Sequence, residues 1–346
     1  MTLSEERTRT MLKLGLIGCG HWGPNHVRNF SALDDVAVTM CADSDESRLR
    51  FVQRLNPGIA VTRDYLDILT KADVDAVIVS TPASSHYAIV KRALEHDKDV
   101  LCEKPLALDV AEAKELVELA AARGKLLMVG HTFLFNVGVR RLKEYVSSGD
   151  LGQIHYLDFV RTNLGPIRKD ASVVWDLAAH DVSIASYLLG SAPIAVSATG
   201  EAYLRHGIQD VAFISLTYPP NILVNIHISW IHPVKTRDVT IVGSKKMVTW
   251  DDLNNMEPIK VYDKGVTQEP YYADYGEFNV ILRDGDILIP KVDLVEPLKL
   301  QSQHFVHCVR QRETPISDGV FGLQVVEVLA AVQKSMANGR PGPAGK

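Results

Sequence analysis

The chain has 346 residues, 46% of them apolar and 23% charged, with a formal net charge of −5. This length exceeds one ordinary core and predicts two domains, and the composition excludes a disordered or fibrous chain. The mildly acidic balance gives no electrostatic footprint for nucleic acid or an anionic membrane.

Met1–Thr10 is polar and mixed in charge, unlike a signal peptide. Met11–Cys19 then reads as a strand that runs into Gly18-Cys19-Gly20-His21-Trp22-Gly23, a complete GxGxxG, with an amphipathic helix following to about Leu33. A tight turn and close approach of backbone to a pyrophosphate leave no room for Cβ, and the helix N-terminus offers N–H groups to phosphate. Strand, motif and helix together carry the signal that a lone glycine motif does not. Val36–Ala42 is the second strand. Asp43 follows it, 20 residues beyond Gly23, where an acid bonds the ribose 2′-OH of NAD and repels the 2′-phosphate of NADP. Asp43 or Asp45 also reads as a cap for a helix starting near Ser47, and Arg48 and Arg50 weigh toward NADP.

Strand and helix continue to alternate. Asp75–Val79 is an apolar strand closed by Ser80-Thr81-Pro82, and Ala83–His96 reads as a helix with His86 at its exposed start. Val100–Cys102 ends in Glu103-Lys104-Pro105, a cation at the edge where open α/β sheets bind ligands. A helix over Asp109–Arg123 and a strand over Leu126–Val129 complete a doubly wound parallel sheet. We place this dinucleotide-binding Rossmann domain at residues 1–132. Residues 133–346 form a substrate-binding and oligomerisation α+β domain, with C-terminal helices able to pack back on the first.

The second part changes grammar. After a helix over Asn136–Ser147, the runs Ile154–Thr162, Ala195–Tyr203, Val211–Tyr218, Ile222–Trp230 and Thr236–Trp250 alternate as strands. They predict a large, mainly antiparallel open sheet whose uncovered face meets helices or another subunit. One helix interrupts them at Trp175–Leu189, and Leu298–Gln311 and Gly319–Ala337 read as helices near the end. No apolar run is read as approaching the ~20 residues of a membrane span. Asp176 and His180 sit at i and i+4, on one face of their helix. Asp176 also reads as a favourable helix-dipole charge with His180 as its local partner. Hydride chemistry on an alcohol needs a base near neutrality, for which His180 is suited, and a cation such as Lys104 to stabilise the oxygen.

Gly18–Gly23, Thr81-Pro82 with His86, Glu103-Lys104-Pro105 and the Asp176/His180 pair resemble, in order and spacing, the Gfo/Idh/MocA (glucose–fructose oxidoreductase, inositol dehydrogenase) family. The resemblance covers nearly the whole chain. It implies Lys104 and His180 as the catalytic pair with Asp176 as modulator. It implies NAD bound by Gly18, Gly20, His21, Trp22, Gly23, Asp43, Thr81, Pro82, His86, Glu103 and Lys104, and homodimers or homotetramers built on the C-terminal sheets. His131-Thr-Phe-Leu-Phe-Asn136, Arg161-Thr-Asn-Leu-Gly165 and Trp175–His180 resemble members acting on nucleotide-linked amino sugars or their uronic acids. Lys104, Asn136, Arg161, Asn163, Asp176 and His180 would then meet substrate. Arg168 and Lys169 would serve as further oxyanion contacts or as a solvated loop, and Asn136 equally reads as an N-cap. The implied reaction is NAD-dependent oxidation, C3 of a UDP-N-acetylated hexuronic acid being the favoured site. A free-sugar or inositol dehydrogenase (or ketoreductase) and a non-catalytic NAD(H) sensor are the alternatives.

His227, His232, His304 and His307 suggest no metal, because no Cys or carboxylate is evidently placed to complete a site. The dispersed cysteines Cys19, Cys41, Cys102 and Cys308 form no CxxC pair and fit a reduced, cytoplasmic protein.

Overall fold

The computed structural model describes residues 11–70, 73–168, 171–270 and 278–338. The chain divides into two compact units, Met1–Thr132 with Glu296–Val326 and Phe133–Val295 with Glu327–Lys346.

In the first unit, β1 (Leu12–Ile17), β2 (Val36–Ala42), β3 (Ala60–Thr62), β4 (Ala76–Val79), β5 (Asp99–Glu103) and β6 (Leu127–Gly130) form a parallel sheet. Its order is β3-β2-β1-β4-β5-β6, so the winding reverses between β1 and β4, the place where doubly wound sheets open a crevice for a ligand. Every residue of β4 and β5 is buried, which is why those strands read as unbroken apolar runs. Helices α1 (Gly23–Ser31), α2 (Glu46–Leu55), α3 (Leu66–Thr70), α4 (His86–Glu95) and α5 (Val110–Arg123) make the crossovers. Asp109 caps α5 by accepting from the Ala111 and Glu112 N–H groups, and Gly124 closes it in the left-handed region at φ 61°. β3 and α3 are absent from the sequence reading, being three and five residues long with little amphipathic pattern.

The second unit holds α6 (Val137–Ser148), β7 (Ile154–Leu164), α7 (Ala179–Leu189), β8 (Ala195–Glu201), β9 (Val211–Tyr218), β10 (Ile222–Ser229), β11 (Ile231–Gly243), β12 (Met247–Asp251), β13 (Ile259–Pro270) and β14 (Phe278–Leu288). The eight strands lie in the order β14-β13-β12-β11-β7-β10-β9-β8. All neighbours are antiparallel except β10 and β7. The expected single strand over residues 236–250 is instead a hairpin, because the Gly243 N–H turns back to the Lys246 carbonyl at 3.1 Å. Strand alternation sets the two faces: Ala212, Ile214, Leu216 and Tyr218 of β9 are buried, while Phe213 between them is half exposed.

Two C-terminal helices follow, α8 (Pro297–Gln311) and α9 (Gly319–Asn338). Phe305 of α8 packs edge-on against Phe30 of α1 at 6.1 Å. By length and composition α9 is apolar enough to cross a membrane, although Gln324, Glu327, Gln333 and Lys334 interrupt its apolar residues. Its buried residues Val325, Val326, Leu329 and Val332 are what the core helix of a globular unit also shows.

Candidate functional site

The glycine turn is built from backbone constraints. Gly18 has φ 98°, and a Cβ there would lie 2.7 Å from the Ser80 carbonyl; one on Gly23 would lie 2.4 Å from the Gly18 oxygen. A Cβ on Gly20 would meet no protein atom within 4 Å, so this glycine is not imposed by protein packing and the space beside it is open. Trp22 at the α1 N-cap makes no side-chain cap bond, and the first turn carries no acid, which leaves its N–H groups suited to phosphate. His21 and Trp22 are exposed at this turn, edge to face at 5.6 Å.

Beside the turn opens a cavity of about 460 Å³ lined by Gly18, Gly20, Asp43, Arg48, Thr81 and Pro82 among others. The Asp43 carboxylate is anchored there by two backbone donors, Cys19 N–H at 2.7 Å and Asp45 N–H at 2.8 Å. Asp45, not Asp43, is the cap of α2, accepting from the Ser47 N–H. The choice left open in the sequence therefore resolves to a capping Asp45 and an Asp43 on the cavity wall. Ser80 Oγ donates to the Gly18 carbonyl at 2.7 Å, joining the ends of β1 and β4. These features fit a dinucleotide.

His86 departs from expectation. It is 1% exposed, not a surface residue, because α4 packs its first turn onto the sheet edge. Its Nδ1 lies 2.7 Å from the Pro105 carbonyl and its Nε2 2.9 Å from the Thr81 carbonyl. Burial pushes its pKa down, aided by the Lys104 charge, although both carbonyls and Glu103 pull the other way. The ring thus sits between the Thr81-Pro82 turn and the Lys104-Pro105 turn, donating to one carbonyl and lying against the other. Glu103, expected beside the cofactor, is engaged within the protein. Its carboxylate is buried, and Oε1 meets His26 Nε2 of α1 at 2.9 Å. Burial works to raise that carboxyl, but the His26 bond and the charges of His26, Lys104 and His86 outweigh it and hold it below the usual range. His131 is buried as well. Desolvation, with Lys104 adding to it, lowers its pKa to about 3, so the ring is neutral. The sequence reading missed His26, which looks like one more polar residue on an amphipathic helix.

In the second unit, the residues expected on a regular helix begin in a π-helical turn, Val174–Ala178, that runs into α7. Such turns cluster at functional sites. Asp176 accepts from Arg168 Nη1 and from Trp230 Nε1, both at 3.3 Å. His180 meets the Phe133 ring at 4.9 Å. Arg161 is not an open oxyanion contact: it is 5% exposed and paired with Asp181 at 2.7 Å, since β7 turns it toward the helix-covered face. Asn136 caps α6 through the Gly138 N–H and gives its amide to Asp252 at 2.9 Å, so its hydrogen-bonding groups are engaged by the protein. Asn163 Oδ1 is buried without a hydrogen-bond partner among the described residues. Lys169 lies outside them. His304 contacts the Ile316 N–H and Cys308, and His307 pairs with Glu313. Among the described residues no three His, Cys, Asp or Glu side chains gather as a metal site.

The family models agree with this construction. The N-terminal model, described as an oxidoreductase family with an NAD-binding Rossmann fold, matches residues 12–131, and the Gfo/Idh/MocA C-terminal domain matches residues 139–249. The chain belongs to the Gfo/Idh/MocA oxidoreductase family. Within it, the chain is 26% identical over 329 residues to UDP-N-acetylglucosamine 3-dehydrogenase of Acidithiobacillus ferrooxidans, covering 94% of this chain and 97% of that one. It is equally 26% identical to scyllo-inositol 2-dehydrogenase (NAD(+)) of Bacillus subtilis, over 95% of each chain. The fold is shared with GenD2 from gentamicin A biosynthesis, solved in complex with NAD, at a TM-score of 0.81, 22% identity and 98% coverage of both chains.

Proposed function

We propose that this oxidoreductase is an NAD-dependent sugar dehydrogenase that oxidises a ring hydroxyl, C3 of a UDP-linked N-acetylated hexuronic acid, with Lys104 and His180 as its acid–base pair. One observation carries the reading: the His86 ring lies against both the Pro105 carbonyl beside Lys104 and the Thr81 carbonyl on the wall of the dinucleotide cavity. NAD, when bound, supplies the hydride acceptor. His180 takes the hydroxyl proton as general base. Lys104 donates a hydrogen bond to the same oxygen and stabilises its developing charge. Asp176 modulates the pair, and the same groups run the reduction in reverse. Asp43 supports NAD over NADP, since its fixed carboxylate opposes a 2′-phosphate. Arg161 is buried against Asp181, whereas Arg168, although it meets Asp176, keeps 40% of its side chain exposed; Arg168 and Asn163 are therefore the better candidates for a uronate or pyrophosphate.

The similarity to a UDP-N-acetylglucosamine 3-dehydrogenase supports a nucleotide sugar oxidised at C3. Equal similarity to an inositol dehydrogenase supports a second reading, a free-sugar or inositol substrate. Purified protein with NAD and a panel of UDP-sugars, inositols and free sugars separates them by NADH absorbance. Turnover with uronates is expected; robust turnover with inositol or glucose and none with uronates overturns the substrate. Lys104→Ala is expected to lower kcat by about 10²–10³-fold. A near-wild-type rate overturns the mechanism.

The same reading has the protein act as a homodimer or homotetramer through the open face of its large sheet. Tyr156, Leu223 and Phe213 lie half exposed on neighbouring strands, and Phe213 stacks on His227 at 4.5 Å. Sedimentation of wild type and Phe213→Asp tests this, with a shift to monomer expected in the variant. Cytoplasmic residence belongs to this reading too, supported by four free, buried cysteines.

A further inference from the structure

We propose that Phe133, gripped by the Arg161–Asp181 pair, is a positioning residue that sets the angle of the His180 ring; this rests on reading His180 as the acid–base group. The anomaly that points to it is Arg161. β7 turns Leu157, Phe159 and Arg161 to the buried face, and a guanidinium on that face is not what hydrophobic patterning supplies. Its charge is met by Asp181, with Nε and Nη2 at 2.8 and 2.7 Å from Oδ1. The other carboxylate oxygen, Oδ2, has no hydrogen-bond partner among the described residues. Replacing such a buried pair by apolar side chains of similar volume is often neutral or stabilising, so stability alone does not account for it.

Geometry does. The Arg161 guanidinium lies 4.4 Å from the centroid of Phe133. Arg237, itself paired with Asp252 at 3.1 Å, lies 5.9 Å from the same ring. Phe133 meets His180 at 4.9 Å with 65° between the planes. Asp181 is the next residue after His180. The contacts therefore close a loop: His180 and Asp181 through the chain, Asp181 and Arg161 through an ion pair, Arg161 and Phe133 through a cation–π stack, Phe133 and His180 through an aromatic edge. Each group in the loop restrains the next, and the imidazole is held at one inclination in the first turn of α7. An aromatic neighbour orients a ring without adding charge to it, which suits a group that must both take and give a proton. Support from neighbouring side chains that lock a reacting group's rotamer is a general requirement of catalysis.

The test uses the full chain and three variants: Phe133→Leu, Phe133→Tyr and the double change Arg161→Met with Asp181→Leu. Misplacement of a reacting group by about 1 Å costs about 10²-fold. Phe133→Leu is therefore expected to lower kcat about 10–100-fold with KM for sugar and NAD within about threefold, and Phe133→Tyr to restore kcat to within about threefold. The double variant is expected to lose kcat as Phe133→Leu does while keeping its unfolding midpoint. Independently of turnover, proton NMR signals of the His180 ring, assigned by their loss in His180→Gln, are expected to shift in Phe133→Leu and stay in Phe133→Tyr. Unmoved ring signals in Phe133→Leu, or an unchanged kcat, overturn the proposal. Should wild type turn over no sugar at all, the dehydrogenase reading fails, and the Arg161→Met/Asp181→Leu variant, which keeps the Phe133 ring current, decides the positioning role by whether the His180 ring signals shift.

Discussion

The glycine turn of the first unit and the surroundings of His180 in the second both hold polar groups in place, but by opposite means. At the turn the backbone does the work: Gly18 and Gly23 leave no room for Cβ, and Asp43 is fixed by two main-chain N–H groups. Around His180 side chains do it, through Phe133, Arg161 and Asp181. Backbone constraints impose residue identity at fixed spacing, whereas a side-chain lattice leaves no such spacing, because its members come from β7, α7 and the segment before α6.

The largest expected effect breaks the backbone side of this contrast. Gly23→Val sets a branched Cβ about 2.4 Å from the Gly18 oxygen and is expected to abolish NAD binding, measured by calorimetry. Unchanged affinity would refute a backbone-built site. The side-chain lattice is tested by Asp181→Ala, which strands the Arg161 charge in the core and is expected to cost about 3–5 kcal/mol in urea unfolding. Restoring apolarity at both positions should recover most of that loss.

His131 tests burial itself. Its pKa is lowered to about 3 in the folded state, against about 6.5 for an ordinary histidine. Between those values the unfolded chain binds a proton that the folded one does not. Its contribution is therefore intact above pH 6.5 and declines by up to about 1.4 kcal/mol per pH unit on acidification. His131→Phe is expected to flatten the stability curve between pH 6.5 and 4, followed by urea titration at each pH. The smallest effect separates the two acids after β2. Asp45→Ala removes the α2 cap for about 1 kcal/mol of stability with little loss of NAD affinity, while Asp43→Ala, which also strands the Cys19 and Asp45 N–H groups, is expected to weaken NAD the more strongly of the two.

Legibility followed the same divide. The Rossmann crossover units were readable because buried parallel strands make continuous apolar runs and the glycines have steric reasons to be there. The hairpin of β13 and β14 was not read, since segments such as Leu282-Arg283-Asp284-Gly285 in it alternate poorly. Lys104 in the first unit, and Asp176 and His180 in the second, stood out by chemistry and spacing, but their surroundings did not. Arg161 reads as an oxyanion contact for substrate, and its ion pair with Asp181 is not legible until the register of β7 is known. His86 reads as a helix-start residue until the turns after β4 and β5 close on it.

The chain enters its first unit twice. Ser317 accepts the Val129 N–H at 2.7 Å and returns its hydroxyl to the Val129 carbonyl, so the outermost strand β6 is sheathed by residues nearly two hundred positions later. A gene fragment ending at Thr132 would thus expose a raw sheet margin and the Phe30 surface on which Phe305 rests. Such a fragment should clump on expression, and co-expressing residues 296–326 as a separate peptide should rescue it.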